Sequence, residues 1–182
     1  SELAESKKCV ADYPNENYLQ RARELYYASI SFVDYNIGKI IRQLKEMGEY
    51  DNTLILFTSD HGEMMGDYGT FQKMLPYDGS ARIPFIIRYP ERVKAGSAEE
   101  KFVDINDILP TVLDVAGVSY PNPEILPGES VFVDKGTKDR SVQYVEHGHG
   151  SGRWVSLRNK QYKYNYYYGG GKEELFDMLH DP

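Results

Sequence analysis

Thr53-Leu54-Ile55-Leu56-Phe57-Thr58 is a short, unbroken apolar and β-branched run that ends abruptly in Ser59-Asp60-His61-Gly62-Glu63. A run without alternation suits a strand buried on both faces, as in a sheet with helices packed on each side. This predicts an α/β architecture. In open α/β sheets ligands bind beyond the carboxyl ends of the strands, so the polar residues after Thr58 stand where a site is expected. Asp60 offers a hard anionic oxygen and His61 a neutral imidazole nitrogen, both suited to a divalent cation. Gly62 permits a sharp backbone turn that lets adjacent side chains converge. The same residues also suit a solvated turn with a capping Asp.

The flanks supply the rest of an α/β pattern. Leu19, Ala22, Leu25, Ile30, Val33, Ile37, Ile40, Ile41, Leu44 and Met47 recur at helical spacing, which predicts one long amphipathic helix from Asn17 to Met47, with Gly48 as its stop. Ile83 to Tyr89 reads as a second strand, with Pro84 confined to its start because it lacks an N–H. Asp107 to Ala116 reads as a short helix, with Pro110 in its first turn and Gly117 at its end. The texture then changes. Pro121, Pro123, Pro127 and Gly128 mark an irregular connection, after which Ser141–Val145, Trp154–Leu157 and Tyr162–Tyr167 read as short strands, the last two as a hairpin. Gly169-Gly170-Gly171 ends the tyrosine-rich strand. The expected organisation is an α/β core over 1–117, a connection over 118–140 and a small antiparallel unit over 141–182, closing in a helix or turn.

Charge narrows the partners. Lys plus Arg number 21 against 28 for Asp plus Glu, a formal net charge of −7. An acidic chain without a basic run is poorly matched to nucleic acid or to an anionic membrane surface. No apolar run approaches the roughly 20 residues that span a bilayer. Cys9 is the single cysteine, which excludes an internal disulfide and a multi-cysteine metal site.

The surroundings of the Asp60-His61 strand end carry a resemblance. Asp51-Asn52-Thr53 leads into the strand, and Gly66-Asp67-Tyr68-Gly69, Lys73 and Tyr77-Asp78-Gly79-Ser80-Ala81-Arg82-Ile83-Pro84 follow it. Together they resemble the sulfatase family of the alkaline-phosphatase-like superfamily. Val33-Asp34 and Ile37-Gly38 are similar to the family's preceding helix. Val103-Asp104, Leu109-Pro110-Thr111 and Ala116-Gly117 are similar to its next one. Tyr162-Lys163-Tyr164, Glu174-Leu175-Phe176-Asp177 and Asp181-Pro182 are similar to its C-terminal subdomain. The resemblance implies a mixed sheet sandwiched by helices with a small C-terminal antiparallel sheet. It implies that Asp60 and His61 bind the active-site cation, Ca²⁺ in most sulfatases, that Lys73 contacts the sulfate oxygens, and that the substrate is a sulfated small molecule or glycan. A cation and an ammonium both stabilise negative charge on a transferring group. Phosphonate monoesterases and phosphodiesterases of the same superfamily share this metal strand and are the rival enzymatic reading. A non-catalytic glycan-binding member is the other.

Two local departures stand out. The family frequently has His where Tyr68 stands, and often a larger residue where Gly79 stands. Sulfatases also carry a Cys-or-Ser-X-Pro-Ser-Arg motif whose first residue becomes the formylglycine nucleophile. Cys9-Val10-Ala11-Asp12-Tyr13 does not match it, and no Ser-X-Pro-Ser-Arg occurs. The expectation is therefore a C-terminal fragment of a longer enzyme, with nucleophile and remaining metal ligands supplied from upstream and the fragment itself inert. Many bacterial sulfatases are exported, so a periplasmic or secreted location is implied for a bacterial source. The oligomeric state has no signature in the sequence.

Other residues have blander readings beside the functional ones. His147 and His149, in Glu146-His147-Gly148-His149-Gly150, suit substrate contacts on a glycine-rich loop, or simply an exposed polar loop. Tyr162, Tyr164, Tyr166, Tyr167 and Tyr168 suit sugar stacking, though alternating Tyr on a strand more commonly serves cross-strand packing. Asp34 and Asp104 read as structural, Glu63 as a residue behind the metal ligands, and Cys9 as structural rather than nucleophilic.

Overall fold

A computed structural model describes residues 16–133 and 140–181. Cys9 and the motif comparison around it, and part of the 118–140 connection, lie outside the described residues. Helix α1 (Glu16–Glu46) follows the apolar periodicity almost to the residue. It ends as the sequence requires: Gly48 takes φ 74°, its N–H donates to the Lys45 carbonyl at 3.1 Å, and the Glu49 N–H donates to Leu44 at 2.9 Å. That pair of bonds satisfies the last carbonyls of the helix and needs a left-handed residue. At about 1.5 Å per residue the helix is roughly 46 Å long.

Strands β1 (Ile55–Thr58) and β2 (Phe85–Arg88) pair antiparallel, Thr58 opposite Phe85. The Thr58 hydroxyl donates to the Pro84 carbonyl at 2.8 Å, closing the end of the pair where Pro84 has no donor of its own. Both strands are shorter than the runs that predict them. Burial on both faces of β1 is not observed among the described residues: Phe57 is 39% and Ile86 60% exposed. The same holds for the apolar stripe of α1, where Leu25, Ile30 and Ile40 are 56%, 49% and 62% exposed. These elements carry the pattern of core elements, but the described residues do not cover them.

Between β1 and β2 lie a tight loop and the one-turn helix α2 (Asp78–Ala81). Helix α3 (Ile108–Ala116) is preceded by a 3₁₀ turn at Ile105–Asp107 and stopped by Gly117 at φ 63°. Its start is a reciprocal cap: Asp104 accepts from the Asn106 N–H at 2.8 Å, and Asp107 accepts from the Asp104 N–H at 2.9 Å. Arg140 reaches both carboxylates at 3.1 and 2.9 Å. Asp104 is thus structural, as expected.

The C-terminal unit is a four-stranded antiparallel meander, β3 (Gln143–His147), β4 (Trp154–Arg158), β5 (Tyr162–Tyr167) and β6 (Lys172–Asp177). β6 is a fourth strand beyond the three that the sequence predicts, and the expected closing turn follows it at residues 178–180, where the Asp181 N–H donates to the Asp177 carbonyl at 2.7 Å. Gly169-Gly170-Gly171 does not end the sheet but turns β5 into β6, with Gly170 and Gly171 at positive φ and the Gly171 N–H bonded to the Tyr167 carbonyl at 3.0 Å. The alternation on β5 buries Lys163, Asn165 and Tyr167 and leaves Tyr162 outward. The inward face of this sheet is therefore mixed, with Lys163, Asn165 and Ser156 buried beside Trp154 and Tyr167. No helix among the described residues is long and apolar enough to cross a membrane.

Candidate active site

The site begins where β1 stops. The His61 N–H donates to Asp60 Oδ1 at 3.0 Å, and the Ser59 hydroxyl bonds the His61 carbonyl at 2.7 Å, which curls the backbone. His61 Nδ1 lies 2.8 Å from the Gly62 carbonyl, so it carries the ring proton and leaves the Nε2 lone pair free. That Nε2 is 3.4 Å from Asp60 Oδ2. Two donor atoms of the type a divalent cation takes therefore converge on one solvent-facing point, with the histidine tautomer set by the backbone. Burial works to raise the Asp60 carboxyl, but the His61 backbone N–H and the Ser59 hydroxyl hold it below its ordinary range. It is ionised and ready as a ligand.

Gly62 is required for a different reason from the one its sequence suggests. Its φ is not positive; instead its N–H donates to the Ser80 carbonyl at 2.7 Å, and a Cβ there would stand 2.1 Å from the Gly79 carbonyl oxygen. Gly79 packs in turn on the fully buried Met64, whose Sδ would be 3.3 Å from an added Cβ. The Gly79 departure thus belongs to a close backbone approach between the site loop and α2.

Residues 63–74 fold back beside the Asp60-His61 pair. The Met64 N–H bonds the Gln72 carbonyl at 2.9 Å, the Gly66 N–H bonds Thr70 at 2.7 Å, and Glu63 Oε1 accepts from the Gln72 N–H. Arg23 of α1 donates to the Met65 carbonyl at 2.9 Å, and Leu19 packs where Gly66 has no Cβ. Four non-glycine residues, Met65, Tyr68, Gln72 and Met74, hold φ between 48° and 76°. Each costs on the order of 1 kcal/mol, and such strain collects where a loop is over-determined by its surroundings. Lys73 sits between two of them, half-buried, with no hydrogen-bond or ion-pair partner among the described residues. Tyr68, in place of the family's usual His, stacks on Tyr77 with ring centroids 4.2 Å apart.

Sequence reasoning missed the polar seam that joins this loop to the C-terminal sheet. Trp154 Nε1 donates to the Met74 carbonyl at 2.8 Å. The Tyr77 hydroxyl donates to Glu174 at 3.0 Å, and Glu174 also accepts from Tyr167 and Asn165. Asp78 binds buried Lys163 at 2.7 Å and Arg158 at 2.9 Å. Burial raises the Asp78 carboxyl, but Lys163 and Arg158 outweigh it and leave the group below its ordinary range. Burial pulls the Lys163 ammonium down, with Asp78 opposing. One signal was available: Lys163, Asn165 and Tyr167 share one face of an alternating strand.

His147 and His149 fall elsewhere. They line a shallow depression with Glu146, Gly148, Gly150 and Arg153, which includes none of Asp60, His61 and Lys73. The His147 ring leans on Trp154 with centroids 5.9 Å apart. Among the described residues no group of three or more His, Cys, Asp or Glu is arranged to hold a metal. Asp60 and His61 fit a cation as two ligands of a larger set.

A family model described as sulfatase matches residues 3–118, and one described as N-sulphoglucosamine sulphohydrolase, C-terminal, matches residues 66–182. The chain belongs to the sulfatase family. It is 36% identical over 178 residues to an arylsulfatase of Clostridium perfringens, covering 96% of this chain and 37% of that protein. It is 35% identical over 175 residues to an N-acetylglucosamine-6-O-sulfatase of Bacteroides thetaiotaomicron, covering 91% and 31%. Among solved structures, a phosphonate monoester hydrolase from Silicibacter pomeroyi superposes with a TM-score of 0.81 at 31% identity, over 92% of this chain and 37% of that one. A protein solved with its substrate D-glucosamine-2-N,6-O-disulfate superposes with a TM-score of 0.78 at 34% identity, over 86% and 34%. The fold is thus the sulfatase α/β fold of the alkaline-phosphatase-like type, with its small C-terminal antiparallel sheet. The chain spans about a third of the length of the relatives it matches.

Proposed function

We propose that the full-length protein hydrolyses sulfate esters, and that this chain supplies part of the metal centre and one anion contact. The observation that carries the reading is the convergence of Asp60 Oδ2 and the free His61 Nε2, 3.4 Å apart at the carboxyl end of β1, in a chain of the sulfatase family. Asp60 and His61 would hold a divalent cation, Ca²⁺ by the family's habit; when bound it supplies positive charge against the oxygens of the transferring group. Ca²⁺ takes about six to eight oxygen-type ligands, so further donors and the formylglycine nucleophile belong to residues beyond those described. Among the described residues Lys73 has no carboxylate partner, which leaves its ammonium available for a sulfuryl oxygen. The apolar surfaces of α1, β1 and β2 are the part of the core that the rest of the enzyme covers. The divisions at 1–117, 118–140 and 141–182 are proposed as core, connection and C-terminal unit. A sulfated glycan is the substrate class supported by the N-acetylglucosamine-6-O-sulfatase relative and by the neighbour bound to a disulfated glucosamine. His147 and His149 are proposed as outer contacts to such a substrate.

A second reading, phosphonate monoester hydrolysis, is supported by the Silicibacter pomeroyi neighbour. The full-length enzyme assayed with p-nitrophenyl sulfate and p-nitrophenyl phenylphosphonate separates the two. The sulfate ester should have the higher kcat/KM; the reverse preference selects the phosphonate reading. Asp60→Asn should lower kcat at least about 100-fold and reduce the bound metal measured by elemental analysis, with the melting temperature retained. A lowered melting temperature with bound metal and kcat unchanged would make Asp60 a cap rather than a ligand.

A further inference from the structure

We propose that Trp154 and Glu63 are positioning residues for Lys73, which together fix the strained backbone that carries its ammonium. The inference rests on the reading of Lys73 as the contact to the ester's anionic group.

Lys73 lies between Gln72 at φ 73° and Met74 at φ 76°. Neither residue is glycine, so neither holds that conformation by its own preference. A side chain grips each neighbour. On one side Glu63 Oε1 accepts from the Gln72 N–H, and the Gln72 carbonyl accepts from the Met64 N–H at 2.9 Å. On the other side Trp154 Nε1 donates to the Met74 carbonyl at 2.8 Å, across 80 positions of sequence. Trp154 is 4% exposed, and its ring is backed by His147 at 5.9 Å between centroids. The same sheet grips the loop again just downstream, where Lys163 and Arg158 hold Asp78 and Glu174 holds Tyr77. Glu63 belongs to the segment of the metal ligands, and Trp154 to the C-terminal sheet. The two grips therefore register the ammonium against both the Asp60-His61 pair and the sheet. A long, rotamer-rich lysine placed on an unrestrained loop would lose orientation before each turnover.

The test is a mutant cycle in the full-length enzyme, with p-nitrophenyl sulfate as substrate. Trp154→Phe keeps a ring but removes the N–H, and should lower kcat about fivefold, the size of one lost hydrogen bond. In the Lys73→Ala background the same change should have no effect on kcat, because the group it positions is gone. Glu63→Ala should repeat this pattern with metal content unchanged, and Glu63→Gln, which keeps an acceptor oxygen for the Gln72 N–H, should recover part of the loss. The Glu63 pair decides the matter if Trp154→Phe does not fold. Losses of equal size with and without Lys73, or no loss at all, overturn the proposal. If Lys73→Ala itself leaves turnover unchanged, the reading of Lys73 falls, and this inference falls with it.

Discussion

At the scale of single residues, the Asp60-His61 pair and the glycine beside it are set by different physics. Asp60 and His61 converge because adjacent side chains at a strand end can be brought together by short backbone bonds, all within residues 59–62. That much is local, and the sequence shows it. Gly62 is non-local: it answers to the Gly79 carbonyl, brought to it by the packing of α2. Gly62→Ala should therefore destabilise the protein by about 2–3 kcal/mol through overpacking, read as a drop in melting temperature. An unchanged melting temperature would mean that the loop and α2 separate freely.

At the scale of elements, the decisive feature is that the C-terminal sheet docks through charge and hydrogen bonds rather than through an apolar face. Lys163 is 6% exposed and holds Asp78. Removing one partner of a buried pair leaves the other uncompensated. Asp78→Asn should cost roughly 2–3 kcal/mol at neutral pH, measured by chemical denaturation. The folded-state pKa of Asp78 is depressed, so its stabilisation is fully present above the ordinary carboxylate value near 4 and is lost as pH falls through the lower folded value. The gap between wild type and Asp78→Asn should accordingly close as the pH is lowered below about 4. A gap independent of pH would show that Asp78 acts by shape alone. The tyrosine alternation on β5 announced a strand but not its inward face. A polar Lys163-Asn165-Tyr167 face reads as solvent-facing until the partners Asp78 and Glu174 are placed against it.

At the scale of the whole molecule, large apolar side chains stay uncovered on α1 and on the β1–β2 pair, including Phe32 at 69% and Ile86 at 60% exposure. Contiguous exposed apolar surface of this kind marks an interface or an association hazard. The 182-residue chain expressed by itself should bind a hydrophobic dye such as ANS and self-associate on size-exclusion chromatography. The full-length enzyme should do neither. A monomeric chain that leaves the dye dark would mean that these faces are closed by a rearrangement of the described elements.

Sequence alone determined the long helix α1 and its Gly48 stop, the strand that leads into Asp60-His61, helix α3 and the Tyr162–Tyr167 strand. Each is written in local periodicity or in a capping residue, and needs no distant partner to be recognised. It also determined the family, because the motif residues around the site are contiguous. Tertiary structure decided the rest. Among the described residues it left β1 only half-buried, and it made Gly169-Gly170-Gly171 a turn into a fourth strand. It assigned Gly62 to a close approach, separated His147 and His149 from the Asp60-His61 pair, and set Trp154 against Met74 beside Lys73. These outcomes depend on which surfaces meet, and a contact between residues 80 positions apart leaves no period or spacing in the chain to read.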